Sequence, residues 1–112
     1  MSLNNFEQYE QFVGTTAVYP GVSDGLAPAL SYVALGLCGE SGEAAEKIKK
    51  WLRKGGDLNK HEVVKELGDV LWYLTRMSNE LGYSLADVAQ INVDKLADRK
   101  ARNVIVSEGD NR

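Results

Sequence analysis

Two pairs of acidic residues in this sequence share one spacing. Glu40 precedes Glu43 by three positions in the segment GESGE, and Glu66 precedes Asp69 by three positions in ELGD. Residues three positions apart lie on the same side of an α-helix. Carboxylates that meet repel one another unless a cation lies among them, and ligands made only of oxygen favour Mg²⁺, Mn²⁺ or Ca²⁺ over zinc. The spacing therefore predicts a divalent metal site where the two pairs meet.

Each acidic pair lies at the edge of an apolar stripe on a predicted helix. At about 100° per residue, one stripe is centred near Leu30 and the other near Leu67. Each pair lies on the same side of its stripe, starting about 80° to 100° from the centre. If the two stripes packed together, all the carboxylates would meet at the rim of the contact. The alternative is that these residues are solvated, with Glu43 pairing with Lys47 at i,i+4.

Glycines recur inside the same two helices, at Gly36, Gly39, Gly42 and Gly68. Each glycine inside a helix costs about 1 kcal/mol relative to alanine. A helix that keeps them beside its carboxylates is expected to admit the close approach of another backbone or of a ligand. Helix packing through small residues is the alternative.

A basic stripe continues an apolar stripe on the last predicted helix. Leu85, Val88 and Ile91 begin one face of this helix. The same face then carries polar and basic residues, which are Asn92, Lys95, Arg99 and Arg102. If this face points inward it needs an anionic partner, either the acidic residues themselves or phosphate oxygens of a substrate. The alternative is a solvated helix end, where basic residues suit the helix dipole.

Aromatic and basic side chains near the acidic pairs are further candidates. Tyr73 follows Asp69 by four positions, so its hydroxyl is expected either at the site or half-buried in the core. Trp51 is a candidate for stacking on a base, or a core residue, and Lys54 is a candidate phosphate contact, or a solvated lysine. Trp72 is predicted on the side of its helix away from the apolar stripe, which indicates a second buried surface and hence oligomerisation.

The elements that must position these residues are helices. Apolar periodicity, caps and glycine stops predict helices over residues 5–13, 28–54, 60–81 and 85–102. Asn59 and Ser84 precede the third and fourth helices as N-caps, each with an acidic residue three positions later. No alternating pattern typical of strands competes. The sequence therefore predicts an all-α fold, a small antiparallel four-helix bundle.

Length and charge exclude several classes of protein. A chain of 112 residues indicates a single domain, and a net charge of −3 argues against binding polymeric nucleic acid or an anionic membrane surface. No apolar run reaches the roughly 18 residues of a membrane span. Cys38 is the one cysteine, so no internal disulfide forms, and the first residues lack the basic region of a signal peptide. We expect a cytoplasmic protein.

Two segments together carry a resemblance to a known family. LGLCGESGEAAEKIKKWLRKGG, followed after a short gap by HEVVKELGDVLWYLTRMSNELGYSL, resembles the MazG-like nucleotide pyrophosphohydrolases of the all-α NTP pyrophosphatase superfamily. The signature of that family is E-x-x-E, a spacer and E-x-x-D. Here 22 residues, 44–65, separate the two elements. The resemblance covers residues 19–104 of a single MazG-like domain spanning 1–112, with a polar tail at 105–112.

The resemblance implies a reaction, a cofactor and an assembly. It implies that Mg²⁺, with Mn²⁺ as a possible substitute, is bound by Glu40, Glu43, Glu66 and Asp69. It implies hydrolysis of a nucleoside triphosphate, (d)NTP, to the monophosphate and pyrophosphate. We expect nucleotide-pool housecleaning as the role, with control of a signalling nucleotide as the alternative. It also implies a homodimer or homotetramer, whose sites can take residues from a neighbouring subunit.

The same resemblance suggests roles for single residues. Substrate contacts are expected from Tyr73, Asn92, Lys95 and Arg99, to which Lys54 and Trp51 are added as candidates. The candidate catalytic carboxylates are Glu43 and Glu66. Which carboxylate deprotonates the attacking water stays open, and Glu43 is our preferred base.

Two other functions are rivals of this hydrolase. A di-iron carboxylate bundle needs Glu-x-x-His motifs, but the only histidine, His61, has Leu58 three positions before it. A non-catalytic oligomeric helical module, which binds or regulates a partner, remains the alternative. Loss of hydrolysis in Glu66→Gln with helicity and oligomer size intact would distinguish the enzyme from this module.

Overall fold

The computed structural model describes residues 1–102. Within this range the chain forms only α-helices and no strands. The helices are α1 (Phe6–Thr16), α2 (Ala27–Lys54), α3 (Lys60–Glu80) and α4 (Leu85–Ala101). The predicted all-α class is confirmed. The largest difference is that α1 continues through Gly14, because a glycine weakens a helix without ending it. The predicted polar tail at 105–112 lies outside the described residues.

Local capping explains where the helices begin and end. The Asn59 side chain accepts a hydrogen bond from the third backbone N–H of α3 at 3.3 Å. Ser84 and Asp87 form a complete capping box at the start of α4, with bonds of 3.0 and 2.9 Å. Gly55 has φ 75° and ends α2, its N–H donating to the Trp51 carbonyl at 2.8 Å. These signals are local, which is why the sequence reveals them.

Helices α2 and α3 form an antiparallel pair. Near the connecting loop, the Lys47 ammonium of α2 lies 3.8 Å from a Glu66 carboxylate oxygen of α3. Farther from the loop, Gly36 of α2 lies against the ring of Tyr73 of α3. Residues that face each other are farther apart in sequence when they lie farther from the loop, as expected for antiparallel helices. The two acidic pairs are therefore carried on helices that run side by side.

The face that α3 turns toward α2 is not the predicted apolar stripe. Leu67, the predicted centre of that stripe, is 51% exposed, whereas the side chain of the adjacent Glu66 is only 18% exposed. The buried residues of α3 are polar or charged, namely Thr75, Arg76, Ser78 and Glu80. The predicted packing of the Leu67 stripe against the Leu30 stripe is wrong within one chain. The polar face is accepted because its groups find hydrogen-bond partners inside the protein.

The same rotation of α3 explains Trp72. The indole packs against the core residues Tyr19, Ala29 and Val33, and its Nε1 donates to the hydroxyl of Thr16 at 2.7 Å. The position of Trp72 off the apolar stripe predicted a second buried surface and hence oligomerisation. The structure instead buries much of Trp72 within its own chain, so this residue is not evidence for a partner.

A buried carboxylate ties the loop before α2 to the end of α3. Glu80 accepts hydrogen bonds from the backbone N–H groups of Ser23 at 2.8 Å and Gly25 at 2.9 Å, and from the Tyr19 hydroxyl. Arg76 completes the network with an ion pair to Glu80 at 3.3 Å. A buried charge is tolerated when its oxygens are paired in this way. The network fixes the direction in which α2 leaves the loop.

Helix α4 packs on α1 and α3, and within residues 1–102 it makes no backbone approach to α2. A carboxylate oxygen of Glu10 in α1 accepts from the Leu85 N–H at 2.9 Å and so holds the start of α4. Beyond this point α4 leaves Ile91, Val93 and Leu96 exposed. No described helix combines the length and apolar character that a membrane span requires.

Candidate metal centre

The structure brings together three of the four predicted carboxylates. Glu40 and Glu43 lie one turn apart on α2, and Glu66 faces them from α3. Each offers a carboxylate oxygen, and these oxygens all lie within 4.8 Å of one another. Because α3 turns its Glu66 face toward α2, Glu40 and Glu66 lie in the contact between the helices, and Glu43 is the exposed member of the group. This arrangement is a possible ligand set for one cation.

Asp69 lies beside this group without belonging to it. It lines a cavity of about 270 Å³ together with Glu40, Trp72 and Tyr73. Among the described residues, the group of mutually close carboxylates does not include Asp69. Asp69 is nevertheless close enough to affect the titration of Glu40. The fourth predicted ligand therefore faces the cavity from the adjacent turn of α3.

Burial and the mutual repulsion of its carboxylates govern the electrostatics of the group. Burial raises the pKa of the Glu40 carboxyl above its ordinary value, and the negative charge of Glu43 raises it further. Asp69 and Glu66 act in the same direction. The Oε2 atoms of Glu40 and Glu66 are buried and find no hydrogen-bond partner among the described residues. Buried, unpaired carboxylate oxygens fit a hard divalent cation.

A lysine of α2 forms an ion pair with one member of this group. The Lys47 ammonium lies 3.8 Å from Oε1 of Glu66, across the contact between α2 and α3. The alternative to a metal site was that Lys47 pairs with Glu43 on its own helix. The structure places its ion pair on the opposite helix instead. Lys47 therefore partly compensates the acidic group in the protein alone.

An aromatic wall borders the cavity. The ring of Tyr73 lies 6.4 Å from that of Tyr32 and 4.9 Å from that of Trp72. Burial raises the pKa of the Tyr73 hydroxyl, and the neighbouring Tyr32 hydroxyl and the charge of Glu40 raise it further. The hydroxyl of Tyr73 thus remains protonated at neutral pH and is able to donate a hydrogen bond. The predicted place of Tyr73 near the acidic residues agrees with this geometry.

Two tyrosines near the site were missed from the sequence. Tyr32 precedes Gly36 by four positions and Glu40 by eight, so helical spacing could have placed it on the same face. Tyr9 comes from α1, and its pKa is raised by burial and then by the charge of Asp69. Nothing in the spacing of Tyr9 relates it to Asp69, because the two residues meet only through the packing of α1 on α3.

Two candidate substrate contacts on α2 lie away from the cavity. Trp51 donates from Nε1 to the Gly56 carbonyl at 2.8 Å, which closes the end of α2. Lys54 is exposed in the last turn, about 16 Å along the helix axis from Glu43. Neither residue lines the cavity described above.

Among residues 1–102, no contact between α4 and α2 brings the candidates on α4 to the acidic group. Asn92 is exposed, Lys95 is half-buried and Arg99 is 4% exposed. Since α4 makes no backbone approach to α2 in the described range, these residues do not face the Glu40 turn through a helix contact. Their role as substrate contacts stays a prediction.

A family model decides the relationship of this chain to known proteins. The model of the MazG nucleotide pyrophosphohydrolase domain matches residues 30–104, which is more than half of the chain. The chain belongs to the MazG family. The match includes both acidic pairs and the whole of α2 after its first turn, α3 and α4. The resemblance stated from the sequence is confirmed.

One curated relative has nearly the same length as this MazG-family chain. The "Gene 37 protein" of Mycobacterium phage L5 is 46% identical over 109 residues, covering 93% of this chain and 96% of the relative. Its name states no activity. No solved structure gave a significant match. The family therefore supplies the general activity, nucleotide pyrophosphohydrolysis, and the details depend on the site itself.

Proposed function

We propose that this MazG-family chain is a Mg²⁺-dependent nucleoside triphosphate pyrophosphohydrolase. It converts a (d)NTP and water to the (d)NMP and pyrophosphate, with Mn²⁺ as a possible substitute for Mg²⁺. The observation that carries this proposal is a pair of buried oxygens, one from Glu40 and one from Glu66, that find no hydrogen-bond partner in the described part of the chain and belong to an acidic group beside a cavity. Removing unwanted nucleotides from the pool is the role that we assign to this reaction.

Glu40, Glu43 and Glu66 are the residues that would hold the cation, with Asp69 available from the cavity wall. When bound there, Mg²⁺ would neutralise negative charge on the triphosphate. All four side chains offer oxygen alone, which is the ligand type that Mg²⁺ and Mn²⁺ prefer. Their helices hold them in place, since both acidic pairs lie well inside α2 and α3.

The chain's own residues suggest how the reaction proceeds. Glu43 is the exposed member of the acidic group, so water has access to it, and we assign it as the base. It accepts a proton as the water oxygen forms a bond to the α-phosphorus. The bond from this phosphorus to the bridging oxygen breaks, and pyrophosphate leaves in line. We assign Tyr73, which lines the cavity, as a donor of a hydrogen bond to the substrate.

The proposed assembly is a homodimer or homotetramer. Large apolar side chains stay exposed on α3 and α4, with Val64 at 58%, Leu67 at 51% and Val93 at 56%. A monomeric soluble protein rarely leaves such residues grouped on its surface. In such an assembly, α4 residues such as Asn92 and Lys95 of one copy would be able to approach the acidic group of a neighbouring copy.

Product analysis tests the proposed function. The purified chain is incubated with a panel of canonical and modified nucleoside triphosphates, with and without Mg²⁺, and the products are separated. Monophosphate and pyrophosphate that form only with Mg²⁺ are the expected result. Diphosphate and orthophosphate would overturn the point of attack. No turnover of any nucleotide would favour a non-catalytic helical module, for which the exposed apolar surface is the supporting observation.

A further inference from the structure

One glycine of α2 lies directly against the aromatic wall of the cavity. A Cβ atom added to Gly36 would lie closer than 3.0 Å to three ring carbons of Tyr73, a separation that Cβ atoms essentially never show in proteins. We propose that Gly36 positions the Tyr73 ring beside the acidic group, by leaving on α2 the space that the ring occupies. The expected effect of Gly36 on activity rests on the proposed function, whereas the positioning of the Tyr73 ring does not.

The contact is specific to Gly36 among the helical glycines near the acidic pairs. Gly39 and Gly42 follow on α2 and Gly68 lies on α3, and in the described part of the chain an added Cβ at any of them meets nothing within 4 Å. The backbone of Gly36 is helical, so no turn or positive φ explains its presence. A glycine inside a helix lowers stability relative to alanine, and here the Tyr73 ring is the group that requires it.

The Tyr73 ring is enclosed on three sides. Trp72 lies on one side with its ring nearly perpendicular, at 75°, and Tyr32 lies on another. The α2 backbone at Gly36 closes the third side. The remaining side is the cavity that the ring shares with the carboxylates. A methyl group at position 36 would therefore push the ring out of its place and into the space that a substrate needs.

Gly36→Ala tests this inference, with Gly39→Ala as the matched control. The control makes the same change one turn later on the same helix, where the added methyl group meets open space. We expect Gly36→Ala to raise KM for the preferred nucleotide about tenfold, as for loss of one hydrogen bond to a charged group. The value of kcat should change much less, because the metal ligands stay in place. Gly39→Ala should leave KM unchanged.

A double variant separates positioning from a general structural effect. If Gly36 acts through the ring, Gly36→Ala should have no further effect on KM once Tyr73→Ala has removed the ring. An equal tenfold effect of Gly36→Ala in both backgrounds would overturn the inference. If Gly36→Ala alone fails to fold, the double variant should recover folding, because the steric conflict is gone. Failure of both to fold while Tyr73→Ala alone folds would overturn it as well.

Fluorescence keeps the test independent of enzymatic activity. In a Trp51→Phe background Trp72 is the only tryptophan, and its ring lies 4.9 Å from that of Tyr73. Displacement of Tyr73 by Gly36→Ala should change the Trp72 emission, and Gly39→Ala should not. Unchanged emission in both would overturn the inference. If the wild-type chain hydrolyses no nucleotide, the proposed function fails, and the fluorescence result still decides whether Gly36 positions Tyr73.

Discussion

Glu40 of α2 and Glu66 of α3 each bury one carboxylate oxygen that has no hydrogen-bond partner among the described residues. They face each other across the contact of two antiparallel helices, with Glu43 completing the group. Burying carboxylate oxygens without partners costs free energy. Positive charge that reaches the group, from a bound cation or from the Lys47 ammonium, offsets this cost.

Glu66→Gln should reduce hydrolysis at least about 100-fold, because a charged ligand of the cation is lost. It should not unfold the protein, since the amide removes a repelling charge from the acidic group. Mg²⁺ at 100 times its Kd should stabilise the wild-type protein by about 2.7 kcal/mol and so raise its Tm. The same Mg²⁺ concentration should raise the Tm of the variant much less. Glu62→Gln, one turn earlier on α3, is the matched control. Equal Mg²⁺ responses of Glu66→Gln and wild type would exclude Glu66 as a ligand.

Lys47→Gln should strengthen the binding of Mg²⁺. The ammonium group lies 3.8 Å from Glu66, so a cation that binds there competes with it. In the absence of metal the variant should lose up to about 1 kcal/mol of stability, as is typical of a partly exposed ion pair. Calorimetric titration with Mg²⁺ measures the first effect and urea unfolding the second. Lys49→Gln, which removes the exposed pair with Glu46, should show no change in Mg²⁺ affinity.

The buried Glu80 predicts a loss of stability in acid. Burial alone would raise its pKa, but hydrogen bonds from Tyr19, Ser23 and Gly25 and the charge of Arg76 outweigh burial and lower the pKa below the ordinary 4.5. The folded state thus favours the charged form. Its contribution to stability is fully present above the ordinary pKa and is lost as pH falls through the lowered pKa of the folded state.

Glu80→Gln tests this dependence. The variant should lose about 3–5 kcal/mol at neutral pH, because Arg76 is left buried without its partner. Its free energy of unfolding should also fall less steeply than that of the wild type between about pH 6 and pH 3. Urea unfolding across this range measures both. Parallel pH profiles of the two proteins would show that Glu80 is not the responsible group.

Leu67→Glu should dissociate the proposed oligomer. Leu67 is 51% exposed in one chain and is centred in an apolar stripe, so a charge there would be buried by a second copy. Light scattering after size-exclusion chromatography should show a dimer or tetramer for the wild type and a smaller species for the variant. Val18→Glu is the control, since Val18 is 91% exposed and lies outside α3 and α4. A monomeric wild type would contradict this prediction.

The sequence by itself determined the helices and the acidic pairs. Helices α2, α3 and α4 begin and end within one residue of the predicted positions, because caps, glycine stops and hydrogen bonds four residues apart are local. The spacing of Glu40 with Glu43 places both on one side of α2 for the same reason. These properties depend on the helical repeat alone, so no knowledge of neighbouring elements was needed.

Only the tertiary structure decided which faces meet. Apolar periodicity predicted that the Leu67 side of α3 would face α2, whereas the chain turns its Glu66, Tyr73 and Glu80 side inward. Gly36 admits the Tyr73 ring, and the Tyr19 hydroxyl and the Ser23 N–H compensate the buried Glu80. Such compensation joins residues far apart in sequence, and no periodic pattern contains it. That is why the ion pair of Lys47 with Glu66 and the role of Gly36 became visible only once α2 and α3 were seen packed together.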